Sequence, residues 1–166
     1  MYCLRTGHLF YLGLLTLTDY HKSFTLSQYV KYRTGVALGA SGSLVSMLKL
    51  SFGAGSMRGF WKYWNPIWSY YLGKYIYYPL NKVIPSSLAL LITFILSGAL
   101  HDLAVMLIKG HVSIKITVCF LFFALLVIIG DVLKVNYKIF SWSIRMLINS
   151  CYLVTCMLMT YFIFSA

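Results

Sequence analysis

Acid is nearly missing from this chain. Three of its 166 residues are acidic, all aspartate (Asp19, Asp102 and Asp131), against fourteen lysines and arginines, which leaves a formal net charge of +11. Charge of either sign is scarce, at 10% of residues, while 60% are hydrophobic. A soluble domain of this size could not bury so much apolar surface, so lipid must cover part of it. The basic excess suits a protein lying among anionic headgroups or handling a polyanionic substrate. It does not suit a nucleic-acid binder, whose basic residues would gather on a polar domain; here they punctuate apolar runs one or two at a time.

Other absences narrow the chemistry. The four cysteines, Cys3, Cys119, Cys151 and Cys156, show neither paired metal-ligand spacing nor a disulfide framework, and are expected to be packing residues. No metal site is expected. The chain has no nucleophile elbow, no phosphate loop and no histidine pair at metal spacing on one helix face, so hydrolase, metalloenzyme and nucleotide-binding readings lack support. Gly53, Gly55 and Gly59 form a flexible approach to the next segment, weak as a nucleotide cradle. The apolar stretch after Arg5 has no small-residue cleavage site and reads as retained. Repeats, low-complexity tracts and linkers are also missing, and the chain is read as one membrane domain, residues 1–166.

What is present is hydrophobic length. A bilayer core needs about 20 apolar residues per helical span. Three segments meet that need: Val83 to Ile108, Ile116 to Ile129 lengthened by its flanks from Val112 to Leu133, and Met146 to Ser165. Gly7 to Tyr20 and Gly35 to Phe52 are weaker candidates, either tilted spans or interfacial segments. The expected fold is therefore an all-α integral membrane protein with three clear and up to five transmembrane helices. Between Phe60 and Leu80 tryptophan and tyrosine crowd together with lysine, a composition of the headgroup level. Asn65 is a good N-cap with Pro66 at the first helical position, and Pro79 closes the segment. A helix of about thirteen residues is roughly 20 Å long, too short to span, and should lie along the membrane or re-enter it. Trp61, Trp64 and Trp68 read first as interface anchors.

Two ionisable residues interrupt the first clear span. A charged aspartate near the middle of a span costs about 2.5 to 3.5 kcal/mol, so His101 and Asp102 carry a functional hypothesis by default. The plainer alternative is that they sit near a helix end and hydrogen-bond there. Ser97 and Gly98, four and three residues earlier, share the His101 face, and Ser97 could orient the ring; Asp102 lies about 100 degrees further round. A neutral imidazole in a largely dry site suits general-base work. His8, His21 and His111 have no identifiable partners.

The string Phe60, Trp61, Lys62, Tyr63, Trp64, Asn65, Pro66, followed 36 positions after Asn65 by His101 in LSGALHDL, resembles the signature of the membrane-bound O-acyltransferase family. The likeness is strongest over residues 51–108, and the chain looks like a short form of the family's C-terminal catalytic segment. The resemblance implies that His101 is the catalytic base with Asn65 as its polar companion, and that Asp102 holds the acidic place after the histidine. It also implies an acyl-CoA co-substrate, no tightly bound cofactor, and a hydroxyl acceptor. The candidate substrate-binding set is Trp61, Trp64, Arg58, Lys62, Ser97 and Asp102; Arg58 and Lys62, with Lys74 and Lys82, could meet either coenzyme A phosphates or lipid headgroups.

The expected function is transfer of an acyl group from a thioester to a hydroxyl. The alternatives are a non-catalytic membrane subunit or degenerate fragment packed against a protein partner that supplies further helices, and a proton relay through His101 and Asp102. The relay is disfavoured by the lack of an inverted repeat. If both weak candidates span, eight lysines and arginines fall on the motif side and five opposite, which predicts a cytoplasmic motif face.

Overall fold

The computed structural model describes residues 24–165, and all regular structure among them is helical. Four short elements come first: α1 (Leu26–Thr34), α2 (Ser43–Phe52), α3 (Met57–Tyr63) and α4 (Pro66–Leu72). The last continues through a π-helical turn, Gly73–Tyr77, into α5 (Tyr78–Leu80). Three long helices follow, α6 (Ser86–Lys109), α7 (Lys115–Val132) and α8 (Trp142–Ser165), each long and apolar enough to cross a membrane. They match the three clear spans.

The weaker candidates fare differently. Gly7 to Tyr20 lies outside the described residues, as do Cys3, Arg5, His8, Asp19 and His21. Gly35 to Phe52 is not a span: its glycine- and serine-rich first half is turns, and helix α2 has ten residues, about 15 Å. The charge count that assumed this crossing loses its premise. Helix α1 was not anticipated, although Thr25 and Gln28 form a capping box at its start, a signal written in the sequence.

The aromatic helix ends at Leu80, one residue past Pro79, about where the proline was expected to close it, and Pro79 itself lies within the helix. The helical path runs on through it because the preceding π turn bonds each N–H five residues back, as Tyr78 N–H does to the Gly73 carbonyl. That wider turn relaxes the clash a proline ring makes with the carbonyl four residues earlier.

The core lies where α3, α6 and α7 meet, built from Met57, Phe60, Leu90, Ala124 and Val127 with Ala54 beside them. Gly98 allows α6 and α7 to approach closely, since a Cβ there would stand 2.7 Å from the Thr117 Cα. The glycines before the aromatic segment also serve packing, which replaces the expected flexibility. A Cβ on Gly53 would meet the Lys49 carbonyl at 2.7 Å, and one on Gly55 would meet the Lys138 backbone at 3.0 Å.

Helix α8 is fastened to the short region by a buried amide. Asn149 Nδ2 donates to the carbonyls of Phe52 and Ala54, both at 2.9 Å, while its Oδ1 accepts from the Tyr137 hydroxyl at 2.6 Å. Burial pushes the Tyr137 pKa up, so the hydroxyl stays a donor. Tyr137 N–H also donates to the Gly55 carbonyl, and the Trp142 indole to that of Lys49.

Candidate active site

The aromatic segment re-enters the bundle. Trp68 Nε1 donates to Ser97 Oγ at 2.8 Å, and Ser97 lies eleven residues into α6, about 16 Å from its start. Trp61 likewise packs among Phe94, Phe120 and Phe123, with ring centroids 5.0 to 6.0 Å apart. Both tryptophans are thus engaged within the protein, against α6 and α7. Backbone irregularity at such depth is tolerated where protein or a cavity surrounds it, and here the long helices provide both.

A cavity of about 350 Å³ separates the aromatic segment from α6 and α7, within the range of small-molecule sites. Asn65, Trp61, Trp64 and Trp68 line it on one side, Ser97 and His101 on the other, and Arg33, Arg58 and Lys62 add positive charge to the wall. Asn65 and His101, distant in sequence, thus share one chamber.

Asn65 sits in the left-handed region, φ 40°, which asparagine tolerates better than most residues, and its Oδ1 accepts from the Trp68 backbone N–H at 3.2 Å. Capping therefore explains its place at the helix start, while its position at the cavity wall gives it a second capacity. His101 Nδ1 lies 2.7 Å from the Ser97 carbonyl oxygen. A carbonyl can only accept, so Nδ1 carries the hydrogen, and in the neutral ring Nε2 keeps its lone pair. The ring is held by the Ser97 backbone carbonyl, not by the serine side chain, whose hydroxyl serves Trp68. Two rings flank the imidazole, Trp68 edge-on at 5.6 Å and Phe120 at 5.2 Å.

The chamber is open on one side within the protein. Ser97 is 2% exposed, but His101 and Asn65 are exposed residues, because the short aromatic region covers α6 from one side only. Asp102 does not line the cavity. It is 5% exposed and accepts from the backbone N–H groups of Ile116 (3.1 Å) and Thr117 (2.7 Å) and from the Thr117 hydroxyl (2.6 Å). These are among the orphan donors at the start of α7, whose own N-cap residue, Ile114, supplies no side-chain bond. The buried carboxylate is a cap reaching across from α6.

Arg58 pairs with Asp131 near the end of α7, its Nε donating to Oδ2 at 2.7 Å, and this hydrogen bond is the main cause of its raised pKa. It is the ion pair found among the described residues. Burial, then the neighbouring Arg33 and Lys138, lowers the Lys62 pKa. Arg33 is a wall residue that sequence reasoning missed; its guanidinium lies 4.9 Å over the Tyr29 ring, and only the folding of α1 onto α4 brings it here. Among the described residues no three His, Cys, Asp or Glu gather as metal ligands.

Residues 45–125 match the model of the membrane bound O-acyl transferase family, a stretch that contains both motifs and every wall residue named above except Arg33. No curated protein and no solved structure matches the chain.

Proposed function

With residues 45–125 belonging to the membrane bound O-acyl transferase family, we propose that the chain moves an acyl group from a thioester, acyl-CoA, to a hydroxyl acceptor. His101 is the general base of this reaction. The observation that carries the reading is the shared cavity: Asn65 and His101 line one chamber, and the hydrogen bond from His101 Nδ1 to a carbonyl leaves Nε2 able to take a proton.

In the reaction, Nε2 removes the acceptor's hydroxyl proton as that oxygen attacks the thioester carbonyl. The carbon–sulfur bond breaks, an ester forms, and the departing thiolate takes the proton back from the imidazolium. Asn65 positions a reactant or stabilises the charge developing on the carbonyl oxygen. Trp61 and Trp64 are the apolar wall, and Arg33, Arg58 and Lys62 supply positive charge for the donor's phosphates. Asp102 contributes through α7 rather than by touching substrate.

The end of the bundle at which α6 and α8 start is proposed to face the cytoplasm, where acyl-CoA is available. Lys49, Arg58, Lys82, Lys134 and Lys138 cluster at that end of the long helices, against Lys109 and Lys115 at the other.

The test is transfer of radiolabelled palmitate from palmitoyl-CoA by the purified chain in detergent, offered a sterol, a diacylglycerol, a long-chain alcohol and a sugar. His101→Ala should cut the rate by about 10² to 10⁴ while leaving membrane insertion intact. Transfer at the parent rate by the His101→Ala protein would refute the assignment.

A further inference from the structure

We propose that Trp68 is a positioning residue for His101, a role no motif assigns to it. The inference rests on reading His101 as the base. Trp68 is held at two points. Its backbone N–H is bonded by Asn65 Oδ1 at 3.2 Å, and its indole N–H by Ser97 Oγ at 2.8 Å. The first bond fixes where α4 starts; the second fixes the indole against α6. Ser97 is itself immobile, being 2% exposed and inside a long helix, so it is a firm anchor for the ring.

The consequence falls on the imidazole. Ser97 uses its hydroxyl to hold Trp68 and its carbonyl to hold His101 Nδ1 at 2.7 Å. Trp68 then stands edge-on to the imidazole, ring planes 80° apart, with Phe120 on another side at 31°. A histidine side chain rotates about two bonds, and a single bond to a carbonyl leaves it free to swing out toward the open side of the cavity. A fixed ring edge restricts that swing. Headgroup anchoring, the usual employment of a membrane tryptophan, does not account for an indole N–H spent on a serine about 16 Å along a span. The path Asn65, Trp68, Ser97, His101 also gives a contact route between the two motifs, which are 36 residues apart.

The test uses the full chain labelled with ¹⁵N-histidine, with His101→Ala to assign the ring signals of His101. In the parent protein the spectrum should show Nδ1 protonated and Nε2 bare. Trp68→Ala should average the two nitrogens and lower kcat by about 10- to 100-fold, leaving KM within about twofold. Ser97→Ala should lower kcat in the parent background and have no further effect in the Trp68→Ala background, because its hydroxyl acts through Trp68. Trp68→Phe, which keeps a ring and loses the N–H, should fall between and serves if the alanine variant does not fold.

Parent kcat and parent spectrum in the Trp68 variants would overturn the proposal, as would equal losses from Ser97→Ala in both backgrounds. A rise in KM alone would make Trp68 a substrate-wall residue and overturn it too. If His101→Ala retains the parent rate while Trp68→Ala still averages the ring nitrogens, the general-base reading falls and the ring-holding role stands.

Discussion

The short region, residues 24–80, and the long region, residues 86–165, solve the same problem in opposite ways. In the long region every backbone group between the ends is satisfied within its own helix, so apolar side chains can face lipid with no further provision. In the short region the helices are three to ten residues, joined by turns and a π-helical stretch. Such elements have many unsatisfied ends, and they persist because side chains complete them: Asn149 of α8 for the carbonyls of Phe52 and Ala54, and the local cap Asn65 for the Trp68 N–H. The cavity lies at the seam between the two regions. The long region contributes the histidine and the rigid frame; the short one contributes the aromatic wall and the cations.

This division of labour predicts a graded set of outcomes. The largest is the loss of transfer in His101→Ala, by about 10² to 10⁴, without loss of fold, since the imidazole touches Trp68 and Phe120 at the cavity wall and is not part of the buried core. A His101→Ala protein that failed to fold would blur the line between site and frame. Next comes Asn149→Ala, which strips two carbonyls and a tyrosine hydroxyl of their partner at a fully buried position. Each orphaned group costs about 1 to 3 kcal/mol, so the unfolding midpoint in detergent should drop steeply. The short region should become protease-sensitive while the long helices keep their helical circular dichroism. Simultaneous loss of both regions would mean that they form one cooperative unit.

Asp102→Ala should be milder, about 1 to 2 kcal/mol, because it removes the cap of α7 but leaves the helix its apolar packing. Asp102→Asn, which retains an acceptor, should recover part of that stability. A variant that keeps full stability yet loses transfer would return Asp102 to the chemistry. The smallest effect belongs to Asp131→Asn. The ion pair with Arg58 is more than a third exposed on both partners, 52% and 36%, and such pairs are worth less than about 1 kcal/mol. The melting curve should therefore barely move, whereas KM for acyl-CoA should change if Arg58 is held for the donor.

Much of this was readable in the linear chain, and the failures have physical causes. Asn65 beside Pro66 announced a helix start because capping is local, and the structure has that bond. Pro79 announced a helix end, and the helix stops one residue later at Leu80, the π turn letting the proline sit inside its last turn. The tryptophans were read first as headgroup anchors because composition reports preference for an interface, and composition does not say that Trp61 packs among Phe94, Phe120 and Phe123 or that Trp68 bonds Ser97. Asp102 was a candidate substrate-binding residue because a carboxylate inside a span is costly. That cost is met by three hydrogen bonds from residues fourteen and fifteen positions on. Asn149 drew no notice, since one amide in an apolar run has no pattern.

By itself the sequence determined the three spans and the pairing of an Asn-Pro helix start with a histidine inside the first span. These depend on hydropathy and on contacts within a few residues, which the order of side chains dictates directly. Tertiary structure alone decided that the aromatic segment packs against α6 and α7, that Asn65 and His101 share a chamber, and that Arg33 joins it. Those outcomes depend on donors and acceptors meeting across tens of residues, and their geometry exists only after the helices have packed.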